Sequence, residues 1–201
     1  MPSYPRSILP ASATPFIGPA GLQSFGASGK AQVRALAQGG RRWSETYPAF
    51  YASSDAGREL LAWLNYARNN MVVFDIVHQL HLTHKGGGGG TARVVGGSQT
   101  GSSLNTDGWT GSNPVLKAGS LIKVAGLPFV LDVVVDAPNL SSGATTLTVS
   151  PSIFNAPADN AIITYTGVTV SAFIPEPPDM PAVGADDIMQ GLRVTFAEKV
   201  A

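Results

Sequence analysis

Lys85-Gly86-Gly87-Gly88-Gly89-Gly90 divides the chain into two textures. Each glycine loses more conformational freedom on ordering than any other residue, so five in a row read as a flexible strap between two bodies. Before the strap the sequence mixes strand signals with one amphipathic helix. After it comes a Ser/Thr/Gly-rich, β-branched segment with the texture of an all-β module, and the end of the chain resumes the alternation of a separate strand pair. The expected fold is mainly β (a β-rich α+β chain). An extended N-terminal arm covers 1–20, and a discontinuous β-sandwich-like domain with one helix covers 21–85 and 168–201. The glycine linker is 86–90, and a small β-barrel is inserted over 91–167.

Composition favours a subunit over a free monomer. Of 201 residues only 13% are charged, with 13 basic and 13 acidic side chains and a formal net charge of zero. That is well under the usual quarter or so. Such a surface does little to keep a lone molecule soluble, whereas a subunit covered on several sides by its neighbours faces less of that pressure. With no cysteine, disulfides and thiolate metal sites are excluded. The apolar runs are short and broken by charge, so no membrane insertion is expected. Met1-Pro-Ser-Tyr-Pro-Arg6 lacks the charged head and long apolar stretch of a secretory signal, and the reading is a soluble chain made in a cytoplasm.

Outward from the strap toward the N-terminus, Met71–Val77 is a β-branched run read as a buried strand. It follows a helix of about four turns capped by Ser53 or Ser54 and ending near Asn70. Leu60, Trp63, Leu64 and Ala67 form its core-facing stripe, with Arg58, Glu59, Asn65 and Arg68 outside. Further back, Ala31–Gln38 and Arg41–Tyr47 flank Gly39-Gly40, the composition of a two-residue hairpin turn. That loop length puts Leu36 opposite Trp43 and Arg34 opposite Glu45. Pro2, Pro5, Pro10, Pro15 and Pro19 make the first twenty residues an arm with little regular pairing, disordered when free or laid across a neighbour.

Outward toward the C-terminus, the expected barrel strands are Ala92–Val95, Ser120–Val124, Pro128–Val135, Thr145–Val149 and Ala161–Tyr165. Turns are expected at Asp107-Gly108, Ser142-Gly143 and Asp159-Asn160. Arg93, Lys117 and Lys123 are offset by Asp107, Asp132, Asp136 and Asp159, which argues against a basic groove. Val168, Val170, Ala172 and Ile174 share one strand face, and Leu192, Val194 and Phe196 share another. The stiff loop Pro175-Glu-Pro-Pro-Asp-Met-Pro181 separates them. The N-terminal hairpin is the expected sheet partner of this pair.

No constellation points to catalysis, and neither cofactor nor metal is expected. On an extended strand His78 and His84 would lie about 20 Å apart with His81 on the other face, so the three could not share an ion. The glycine run lacks the Gly-Lys-Ser/Thr ending of a phosphate loop and does not open a helix. Asp186-Asp187 has no accompanying ligand spacing. No Gly-x-Ser-x-Gly elbow is present. Arg34, Arg41 and Arg42 form the one basic cluster, too small for nucleic-acid recognition and better suited to a rim contact with a neighbouring subunit. Trp109, beside the expected Asp107-Gly108 turn, is either buried in the barrel or a platform for a glycan or a protein.

In layout the chain resembles the distal tail proteins of long, flexible-tailed bacteriophages. The resemblance lies in Gly39-Gly-Arg-Arg-Trp-Ser-Glu-Thr-Tyr47, the helix Arg58–Arg68 and the closing Gly191-Leu-Arg-Val-Thr-Phe-Ala-Glu198. The segment from Gly96-Gly-Ser-Gln-Thr-Gly-Ser-Ser-Leu104 through Leu116-Lys-Ala-Gly-Ser-Leu-Ile-Lys-Val-Ala-Gly126 is similar to small barrel modules of virion proteins. The resemblance implies that the discontinuous domain forms a ring and that the inserted barrel is OB-like. It also implies a structural, non-enzymatic role in the virion. A homo-hexameric ring at the distal end of the tail tube would join the tube protein above to the hub and host-binding fibres below. The alternatives are another virion part (tube, connector or capsid-associated protein) or a glycan-binding module acting through the barrel.

Overall fold

The computed structural model describes residues 4–5, 7–15, 22–25, 31–34, 40–138 and 142–199. The chain folds as two compact units, one built from Met1–Ile76 and Ser171–Ala201, the other from Val77–Val170. Elements up to the middle of the chain are β1 (Ser12–Ala13), β2 (Leu22–Phe25), β3 (Ala31–Arg34), β4 (Arg42–Thr46), β5 (Phe50–Tyr51), α1 (Asp55–Asn69) and β6 (Phe74–Val77). Next come β7 (Gly88–Val94), β8 (Gly101–Gly111), β9 (Leu121–Val124), β10 (Leu131–Val133), β11 (Thr145–Ile153) and β12 (Ile163–Thr164). The last are β13 (Thr169–Phe173), β14 (Ile188–Met189) and β15 (Arg193–Glu198). Among the described residues the fold is mainly β with one α-helix, a curled five-stranded sheet and a nearly closed, barrel-like six-stranded sheet.

The five-stranded sheet runs β1-β4-β15-β13-β6. The helix lies where its stripe predicts, with Leu60, Trp63, Leu64 and Ala67 buried. Ser54 caps its start by accepting the Gly57 N–H at 3.1 Å. Gly57 has to be glycine, because a Cβ there would meet the Tyr51 carbonyl at 2.3 Å. At the other end Met71 takes a left-handed φ of 47°. The Met71 N–H reaches Arg68 O and the Val72 N–H reaches Ala67 O, the paired bonds that satisfy terminal carbonyls when a helix ends in a left-handed residue. The core of this unit is aromatic. Trp63 meets Tyr4 and Phe74 edge-on at centroid distances of 4.8 and 4.7 Å, and Trp43 lies 5.4 Å from Phe196. Such edge and tilted contacts stabilise beyond the area they bury. The alternating faces read at the end of the chain are observed: Val168, Val170, Ala172 and Ile174, and Leu192, Val194 and Phe196, are all buried.

Two expectations for this unit are overturned. Arg34 does not face Glu45. β3 pairs with β2, which puts Arg34 opposite Leu22. Both edges of β4 are occupied elsewhere, with Glu45 opposite Ala13 of β1 and Val194 of β15. The expected turn partner Gly39 lies outside the described residues, as does Leu36. The arm, expected to pair little, supplies an edge strand: the Ala11 and Thr14 N–H groups donate to Thr46 O and Ser44 O at 2.8 and 2.9 Å. Its described prolines, Pro5, Pro10 and Pro15, flank the donors without replacing them, the placement an edge strand tolerates. Tyr4 is 93% covered (7% exposed) within the aromatic core. The arm's residues 16–20 lie outside the described set.

The second unit is an antiparallel sheet in the order β12-β9-β10-β11-β8-β7. Its ends meet where Val94 N–H donates to Ala161 O at 3.0 Å and Asn160 N–H donates to Val94 O at 2.9 Å. The glycine run is not a strap. Gly88, Gly89 and Gly90 are paired opposite Gly111, Thr110 and Trp109. The need for glycine is steric: a Cβ at Gly86 or Gly88 would lie 2.4 or 2.5 Å from Val115 O, and one at Gly90 would lie 2.4 Å from Gly108 O. The backbone is also tied by side chains. Tyr165 donates to Gly90 O at 2.8 Å, and a His84 ring nitrogen lies 3.1 Å from Gly88 O.

The longest strand, β8, contains the Asp107-Gly108 pair expected to be a turn. Gly108 has a φ of +74° there, and the register against β7 slips between Gly90 and Arg93. A residue pair that favours tight turns has been used for a bulge. The turns at Ser142-Gly143 and Asp159-Asn160 are present. The histidines are not on an extended strand either. Gln79–His81 is a single 3-10 turn, which brings the rings of His78 and His81 to 5.2 Å.

Candidate functional site

Of the four residues nominated for partner contact, two are buried within the fold. Arg34 lies on β3, where only the backbone is described. Arg41 is 5% exposed, and its Nε lies 3.9 Å from Glu198 Oε2. The Arg41 N–H donates to the same carboxylate and its carbonyl accepts from the Glu198 N–H at 2.8 Å. This side chain lies covered where the end of β15 meets the start of β4. Trp109 is 3% exposed. Its indole N–H donates to Thr106 Oγ1 at 2.8 Å, and Thr106 donates to Thr145 O at 2.8 Å. With the indole hydrogen bond satisfied and the ring covered, Trp109 offers no platform to a glycan. Arg42 alone of the three described side chains is open to solvent, paired with Glu176 at 3.4 Å. An exposed pair of this kind contributes little to stability.

Beneath β4 a second polar cluster is closed to solvent. Glu45 is fully buried, and the hydroxyls of Tyr4 and Tyr47 both donate to its Oε2 at 3.4 Å. Burial pushes the Tyr47 phenol well above its ordinary range, so it stays a neutral donor. The cluster ties the arm and β4 together. Among the described residues no group of three or more His, Asp or Glu is arranged to hold a metal ion, and no helix is long and apolar enough to cross a membrane.

An open groove of about 520 Å³ lies in the discontinuous unit between the end of α1 and the proline loop. Asn65, Arg68 and Asn69 form one wall, and Pro177 through Met180 form the other. The loop is anchored from both sides. The Asp179 N–H donates to Arg193 O at 2.9 Å, the Arg193 N–H returns to Asp179 O at 3.2 Å, and Glu176 holds Arg42. Arg68 is half-buried, and its Nε has no hydrogen-bond acceptor. The polar helix face and the proline loop are both visible in the sequence. Their convergence is not, because it depends on β15 carrying the loop back beside the helix. No protein-family model matches the chain, and no curated protein matches it.

Proposed function

We propose that the protein is a structural, non-enzymatic component of a bacteriophage virion. It would form a homo-hexameric ring at the distal end of the tail tube, between the tube protein and the hub with its host-recognition fibres. The observation that supports this reading most is the chain's division: a β-rich unit made from both ends of the chain surrounds, in sequence, a barrel-like unit of its own. That is the layout of the distal tail proteins the sequence resembles. The low charge content supports it independently, since a ring subunit spends its surface on neighbours. Assembly would take place in the host cytoplasm and the finished protein would reside in the phage tail. Labelling virions with an antibody to the barrel unit tests the placement. Label confined to the tail tip is expected, and label on the head or along the tube would replace this reading with another virion role.

A further inference from the structure

We draw no further inference here: the strongest candidate, the socket between β4 and the aromatic core that would suit the arm of a second copy, is filled by the chain's own Tyr4 and β1, and nothing in the structure shows what would displace them.

Discussion

A Cβ at Gly90 would meet the Gly108 carbonyl at 2.4 Å on a backbone already at φ +87°. Gly96 has a similar φ of +79° but open space around it. The pair separates conformation from contact. Gly96→Ala should cost about 1–2 kcal/mol, the penalty of a left-handed alanine. Gly90→Ala should cost about 3 kcal/mol or more, because the strands must also move apart. Hydrogen exchange of the β7 and β8 amides measures both, and two equal small effects would restore the strap. At Met71 the sign reverses. This exposed residue closes α1 with φ 47°, so Met71→Gly should raise stability by about 1 kcal/mol in denaturant unfolding of its unit. No gain would mean that the cap is not strained. Asp187 has an acid signature. A hydrogen bond from the Ser53 side chain, then the Ser53 N–H, then the charge of Arg58 hold its carboxyl below the ordinary value. The stability this adds is complete above the unfolded value near 3.8 and is lost as pH falls through the lower folded one. Asp187→Asn should therefore flatten the acid limb of a stability–pH curve and leave neutral behaviour nearly unchanged. Asn tolerates the φ of 60° at this position as Asp does.

Among the elements, those legible in the sequence owe their form to near neighbours. The helix shows its stripe, its Ser54 cap and its end within one continuous stretch. The alternating faces of residues 168–174 and 192–196 are equally local, since a strand buried on one side repeats every two residues. What failed was pairing over distance. Gly39-Gly40 has the composition of a hairpin turn, yet β4 takes its partners from Ala13 and Val194, and no local signal ranks those against Arg34. β8 was hidden because Asp-Gly serves a turn and a bulge equally well, and only the Thr91 carbonyl, 2.2 Å from a Cβ at Gly108, decides between them. The glycine run is ambiguous in sequence for a related reason. Glycine permits flexibility and close approach alike, and the close approach is to Val115, twenty-odd residues later. Of the nominated contacts, Arg41 is met inside the fold by Glu198, whereas Trp109 takes the buried one of its two expected places, its indole N–H on Thr106. The groove at Arg68 needed three segments brought together, and none of them signals the others.

For the whole molecule, the proposed ring makes a demand on the surface. A ring demands a lateral face that matches a different lateral face on the next copy, and rotation then closes it. A chain with zero formal net charge also has weak long-range repulsion between copies, which favours such contacts at modest concentration. The measurement that tests this most directly is the mass of the purified full chain in solution, by light scattering across a range of concentrations. The account predicts one discrete closed species of six copies, its mass independent of concentration once formed. A strict monomer at every concentration, with and without the tail tube protein, would contradict it.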